Sequence, residues 1–354
     1  MDRRVLQACG PDTPRETAGR SGCVELSKAL DEAAGALLER HLELSKEWFP
    51  HELVPWELGR RCGPGGSAPP PADPLPEGVR SALFVNLLTE DNLPHYFAAL
   101  SDSFRSCSAL CEWSRRWAAE EQRHAIVLRD WICVTRQLDL VRLERARMSQ
   151  LSCGFDAGVR AAGLLDGIVY LAVQELATRI SHWNTGRFLD PVGTAVMKRI
   201  SADENRHHLF YRELVSVALE VDPSSTVEAI DRQVSAFEMP GTSIEEFPRH
   251  ARAIAAAGIY DLRLHHDQVL RPLVVTQWRL ESIGSLDSEA EASRDHLFGR
   301  MERLRRVVER MEPPLPGGPG RPDHRAGAPA PTPEPLNPSP GSATALPSSS
   351  GRRG

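Results

Sequence analysis

The chain has 354 residues, 41% of them hydrophobic, so it could bury one large core or two average ones. Its formal net charge of -6 argues against a nucleic-acid partner, which would call for a basic excess or stripe. Seven cysteines with no C-x-x-C pair form no disulfide framework and are expected to be reduced thiols.

No signal-like apolar core follows Met1, and no run of 18 apolar residues occurs anywhere. The expectation is a soluble cytoplasmic protein without membrane insertion. Residues 1–23 are polar and rich in Gly, Pro and Arg, which predicts a flexible segment. The first helix is predicted from Val24 to Trp48, where Leu26, Leu30, Ala33, Leu37 and Leu38 make a one-sided stripe. A long Pro- and Gly-rich connection is expected over residues 49–77. Glu77 to Arg105 reads as helix again. Pro94 cannot donate to the carbonyl of Glu90, so a kink or junction is expected between Thr89 and Pro94.

Ser108 to Gln137 is predicted as a long helix with Trp117, Glu121, His124, Leu128 and Trp131 on one face. A shorter helix follows over 141–152. Leu164 to Arg187 is the most apolar helix, and Glu175 lies inside its apolar run, where a carboxylate is rarely buried unless paired or bound to metal. Asp190 and Pro191 suit the cap and first turn of a helix reaching Val221. Along it Met197, Ile200, Glu204, His207, Tyr211 and Leu214 share a face. Further helices are expected at 224–238, 243–258, 261–281 and 286–311. The domain is therefore placed at 24–311, followed by a disordered Pro/Gly/Ser-rich tail over 312–354. No strand pattern competes, so the fold class is all-α.

Two six-residue stretches stand out, Ala119-Glu120-Glu121-Gln122-Arg123-His124 and Ala202-Asp203-Glu204-Asn205-Arg206-His207. Their Glu and His members lie the same 83 positions apart, 204 less 121 and 207 less 124. In a helix, Glu-x-x-His projects a carboxylate and an imidazole from one face, a turn apart. Two such helices plus one Glu from each of two others form the ligand set of ferritin-like di-iron and di-manganese bundles. Glu90 and Glu175 are candidates for the two single glutamates, since each precedes one copy by about thirty residues. Four converging carboxylates would repel, and two divalent cations cancel their charge while two neutral imidazoles complete the shell. Oxygen and imidazole donors without sulfur suit iron or manganese. A solvated helix face is the usual meaning of one Glu-x-x-His alone, and spacing does not separate iron storage from oxygen chemistry.

Four motifs, taken together, resemble the soluble acyl-acyl-carrier-protein desaturases, most closely their actinobacterial branch. They are Thr89-Glu90-Asp91-Asn92-Leu93-Pro94, Trp117 to His124, Gln174-Glu175-Leu176-Ala177-Thr178-Arg179-Ile180-Ser181-His182, and Ala202 to His207. The resemblance spans roughly residues 24–285, including Lys46-Glu47-Trp48 and Met239-Pro240-Gly241. It implies a ferritin-like helical bundle with additional helices, a homodimer, and two iron ions held by Glu90, Glu121, His124, Glu175, Glu204 and His207. It further implies an oxidoreductase that uses O2 and ferredoxin-delivered electrons to take two hydrogens from an acyl chain carried on acyl carrier protein. A related di-iron oxygenase and a ferritin-like storage protein are the alternatives.

By the same resemblance, Thr178 matches a threonine that handles protons or oxygen beside the metals. Trp117 and Asp203, with Trp48, match an electron route from the surface, although core packing is the commoner role of a residue like Trp48. His182 is expected to orient a ligand or to pack. Ala118 and Gln122 depart from the family's usual Thr and Asn, neither of them a ligand. An acidic carrier would dock on local positive charge, for which Arg115, Arg116, Arg123, Lys198 and Arg199 are candidates.

Overall fold

The computed structural model describes residues 14–59, 71, 73–153 and 163–310. The expected tail over 312–354 and residues 1–13 of the expected flexible segment lie outside the described residues. Every regular element among the described residues is helical. α1 (Pro14–Leu44) begins ten positions before Val24, so the helix takes in residues 14–23 of the segment expected to be flexible. Pro14 sits where its missing N–H costs nothing, and the apolar stripe from Leu26 onward carries the helix it opens. The connection that follows holds α2 (Pro50–Leu53) and a short 3-10 turn (Trp56–Leu58).

α3 (Glu77–Glu90) and α4 (Leu93–Phe104) meet at the junction read from Pro94, which leaves Glu90 as the last residue of its helix. Then come α5 (Ser108–Thr135), α6 (Leu140–Cys153), α7 (Leu164–Gly186), α8 (Pro191–Val221) and α9 (Pro223–Ala236). Four residues separate α7 from α8, so the two run as an antiparallel pair. Gly186 permits their close approach, because a Cβ there would stand 2.7 Å from the Cβ of Met197. Asp190 caps α8 as expected, accepting from the Gly193 N–H at 2.6 Å.

α10 (Phe247–Ala256) starts four residues later than its periodicity suggests. Glu246 takes a left-handed conformation (φ 60) and Pro248 fills the first turn, so the preceding residues turn instead of winding. The helix expected over 261–281 opens as α11 (Leu262–Leu264) and continues in wider π turns over His265–Leu270 and Pro272–Gln277. Those turns flank Pro272, whose missing N–H deprives a carbonyl of the preceding turn of its donor. α12 (Ser288–Arg310) closes the described chain.

The apolar interior divides into two clusters. One gathers Trp113 and Trp117 of α5, Ile168 to Ile180 of α7, and Tyr211 and Leu214 of α8. The other gathers Leu128 and Trp131 of α5, Met197 and Ile200 of α8, and Val79 to Leu88 of α3. α5 crosses from the first to the second and α8 from the second to the first, and between them each helix carries its Glu-x-x-His. The two Glu-x-x-His motifs thus form a polar layer held between two apolar cores.

α3 is pressed tightly on α10 at Gly78, where an added Cβ would lie 2.6 Å from the Ala253 carbonyl oxygen. Gly78→Ala must therefore push two helices apart, and we expect it to lower unfolding free energy by about 1–3 kcal/mol, read from denaturant midpoints.

Candidate metal centre

Helix geometry brings all six candidate ligands into one place. Glu90, Glu121, His124 and Glu204 each offer an atom within 4.8 Å of the others, and so do Glu121, Glu175, Glu204 and His207. Glu121 and Glu204 belong to both sets. The arrangement is therefore two adjacent four-donor clusters with two shared carboxylates, completed by Glu90 and His124 on one side and by Glu175 and His207 on the other. All six side chains are buried.

The inner faces of the two imidazoles are their Nδ1 atoms. His124 Nδ1 lies 3.4 Å from Glu121 Oε2, 3.6 Å from Glu204 Oε1 and 3.8 Å from Glu90 Oε2. His207 Nδ1 lies 2.7 Å from Glu121 Oε1 and 3.7 Å from Glu175 Oε2. Despite this crowding, none of His124 Nδ1, His207 Nδ1, Glu121 Oε1 and Glu175 Oε2 makes a well-directed hydrogen bond. Buried polar atoms left unpaired are costly, and a cation among them removes the cost. Burial and the neighbouring Glu204 charge push Glu175 well above the ordinary carboxylate range, and the same two causes raise Glu121. Burial opposes charge on the two imidazoles, but the carboxylates around them outweigh it and raise both well above the usual histidine value. Two divalent ions would displace these protons and let every donor face a positive charge. The residues present fit a dinuclear site.

Behind the ligands lies an outer layer that crosses between the two repeats. Asp203, beside Glu204 on α8, approaches Nε2 of His124 on α5 at 3.4 Å. Glu120, beside Glu121 on α5, approaches Nε2 of His207 on α8 at 2.9 Å. Each repeat therefore supplies the carboxylate that fixes the other repeat's imidazole, with Nε2–H donating outward and Nδ1 left to face the centre. Motif spacing alone assigns no role to Glu120. A signal for it exists all the same, because Glu120 and Asp203 occupy equivalent places in the two hexapeptides.

Thr178 donates from Oγ1 to Glu204 Oε2 at 3.0 Å and also reaches the carbonyls of Gln174 and Glu175. His182 holds Glu90, with Nε2 2.9 Å from Oε1, which is the orienting role expected of it. Trp48 does more than pack: its indole N–H donates to Asp203 Oδ2 at 2.9 Å. Trp48, Asp203 and His124 form a continuous chain, whereas Trp117 stands apart from it and donates to Glu175 Oε1 at 3.0 Å. Arg116, Arg123 and Arg199 turn inward. Arg116 bonds Glu120 at 2.6 Å, while Arg123 and Arg199 approach Asp203 at 3.7 and 3.8 Å. Of the five candidate docking charges only Arg115 and Lys198 are exposed.

A cavity opens directly on Glu90, Glu121 and Glu204. Away from the carboxylates it is lined by Leu93, Tyr96, Ala99, Leu100, Tyr170 and Leu171. A second continues along α3 and α7 past Asn86, Ser181 and His182 toward α10. Thr89, Thr178 and Pro240 border both.

Fold and site together define a ferritin-like helical-bundle protein with a paired Glu/His centre beside an apolar cavity. The family model described as fatty acid desaturase matches residues 23–315. The chain is 37% identical over 298 residues to the protein designated acyl-[acyl-carrier-protein] desaturase DesA1 of Mycobacterium tuberculosis, covering 82% of this chain and 88% of that one. It is 31% identical over 256 residues to stearoyl-[acyl-carrier-protein] 9-desaturase 6, chloroplastic, of Arabidopsis thaliana, covering 67% and 65%. The X-ray structure designated acyl-ACP desaturase DesA2 from Mycobacterium tuberculosis H37Rv shares the fold, with a TM-score of 0.59 at 24% identity over 76% of this chain and 99% of that one. This chain belongs to the acyl-[acyl-carrier-protein] desaturase family of oxidoreductases. Among the described residues no helix is long and apolar enough to cross a membrane.

Proposed function

We propose that this chain introduces a cis double bond into a saturated acyl chain carried on acyl carrier protein, using two iron ions, O2 and electrons from ferredoxin. The observation that carries the reading is the pair of four-donor clusters sharing Glu121 and Glu204 and opening onto an apolar cavity. Bound there, the iron pair would supply the oxygen-activating redox chemistry that removes two hydrogens from the chain.

The protein's own part is positional. Glu90 and His124 on one side, and Glu175 and His207 on the other, would each hold one iron, with Glu121 and Glu204 between them. Leu93, Ala99 and Leu171 would keep water from the methylenes and hold them beside the centre. Thr178 stands at the border of carboxylate and cavity, where Oγ1 can pass a proton to Glu204 Oε2. Asp203, between Trp48 and His124, would carry electrons inward from the surface, and Trp117 would steady Glu175. The family resemblance adds a homodimer in the cytoplasm, and exposed Arg115 and Lys198 would meet an acidic carrier.

The test incubates iron-loaded protein with ferredoxin, its reductase, NADPH, O2 and acyl carrier protein charged with saturated chains of several lengths. Mass spectrometry of the released acyl groups should find a product two mass units lighter, with a single cis bond. Iron mineralised with every acyl chain unchanged would overturn the reading in favour of storage, and a hydroxylated product would overturn it in favour of an oxygenase.

A further inference from the structure

Two residues near the end of α1 reach the outer layer of the centre, Trp48 and His41. Trp48 meets Asp203. His41, seven positions earlier in the last turn of α1, meets Glu120, with Nε2 3.1 and 3.2 Å from its two carboxylate oxygens. His41 is 5% exposed. Its ring stands edge-on to Trp113 at 4.9 Å and 84°, and Trp113 is itself stacked on Phe210 at 3.7 Å, so the imidazole plane is held from outside the hydrogen bond.

The two halves of the outer layer therefore match. On one side Trp48, Asp203 and His124 form a chain, and on the other His41, Glu120 and His207 do. Arginines flank both carboxylates alike, with Arg116 and Arg123 around Glu120, and Arg199 and Arg206 around Asp203. His41 and His207 thus hold the Glu120 carboxylate from two sides, one through each Nε2. Without the His41 donor each buried carboxylate oxygen would lose one partner, leaving Oε2, the oxygen that meets His207 Nε2, braced on that side by His207 alone.

We propose that His41 is a positioning residue for the Glu175 and His207 half of the metal centre. Acting through Glu120, it fixes His207 with Nε2–H outward and Nδ1 toward Glu121 and Glu175, as Trp48 does for His124 through Asp203. The proposal rests on the dinuclear reading of the site. Groups behind metal ligands typically contribute about 10–100-fold to metal affinity.

Cobalt(II) titration of the full metal-depleted chain, followed by visible absorption, tests it without reference to turnover. The wild type should take up two ions. His41→Phe keeps the aromatic contact with Trp113 but removes the donor, and should weaken one of the two sites by about 10–100-fold with the other unchanged. His41→Gln, whose amide can donate to Glu120, should recover most of that loss. Trp48→Phe should weaken the other site, and the double variant both. Two sites of wild-type affinity and spectrum in His41→Phe would overturn the proposal alone. So would equal weakening of both sites with a lower melting temperature and no recovery in His41→Gln, since that is the pattern of lost packing. A wild-type chain that binds no cobalt pair would overturn the dinuclear reading and this proposal with it.

Discussion

Glu121→Ala is expected to abolish the proposed double-bond formation, with a loss of at least about 100-fold, beyond the 10–100-fold usual for groups behind ligands. The magnitude follows from the place of Glu121 in both four-donor clusters: its removal takes a carboxylate from each side at once. It also leaves His207 Nδ1 without the oxygen that now approaches it at 2.7 Å. Iron content should fall below two per chain in the same variant. The metal-free fold should survive, because Glu121 and Glu204 repel each other when no cation lies between them and alanine removes one of the two charges. Product formation measured beside iron content and thermal unfolding checks this. A variant that retains both irons and turns over at more than a tenth of the wild-type rate would count against the shared-carboxylate assignment.

Asp203→Asn should separate electron delivery from chemistry. The carboxylate stands between the Trp48 indole N–H and His124 Nε2, and it pairs with Arg206. Asparagine keeps the volume but not the charge, so Arg199 and Arg206 lose their counter-ion, Arg123 keeps only Glu120, and the indole faces a weaker acceptor. Ferredoxin-driven turnover is expected to fall by about 10–100-fold, while a single turnover of chemically reduced enzyme proceeds at a rate close to wild type. Equal loss in both assays would mean that Asp203 serves only to hold His124.

The candidate ligand set is legible in the amino-acid sequence because it rests on local periodicity. Glu-x-x-His needs only a helix to put both groups on one face, and the apolar residues at Trp117, Leu128, Met197 and Tyr211 say which way that face points. Glu90 is legible through Pro94, whose missing N–H leaves the Glu90 carbonyl without the donor that would continue the helix. Resemblance then attaches a reaction to those positions. Other features are out of reach of pattern. The start of α1 at Pro14 lies in polar sequence with no stripe of its own, and the π turns around Pro272 leave no periodic trace. Arg123 looks like any solvated charge on a helix face, and only the neighbouring helix shows it turned toward Asp203, whereas Arg116 and Arg199 reach Glu120 and Asp203 one turn along their own helices.

By itself the sequence determined the helices, the inward faces and the residues able to ligate, because these follow from spacing within one element. Only the tertiary structure decided that Glu121 and Glu204 are common to both clusters, that Glu120 and Asp203 each brace the other repeat's histidine, and that His41 reaches this layer at all. Those facts depend on the rotation and crossing of helices up to 87 positions apart in the chain, as between Glu120 and His207. No pattern inside a single helix records its orientation against another.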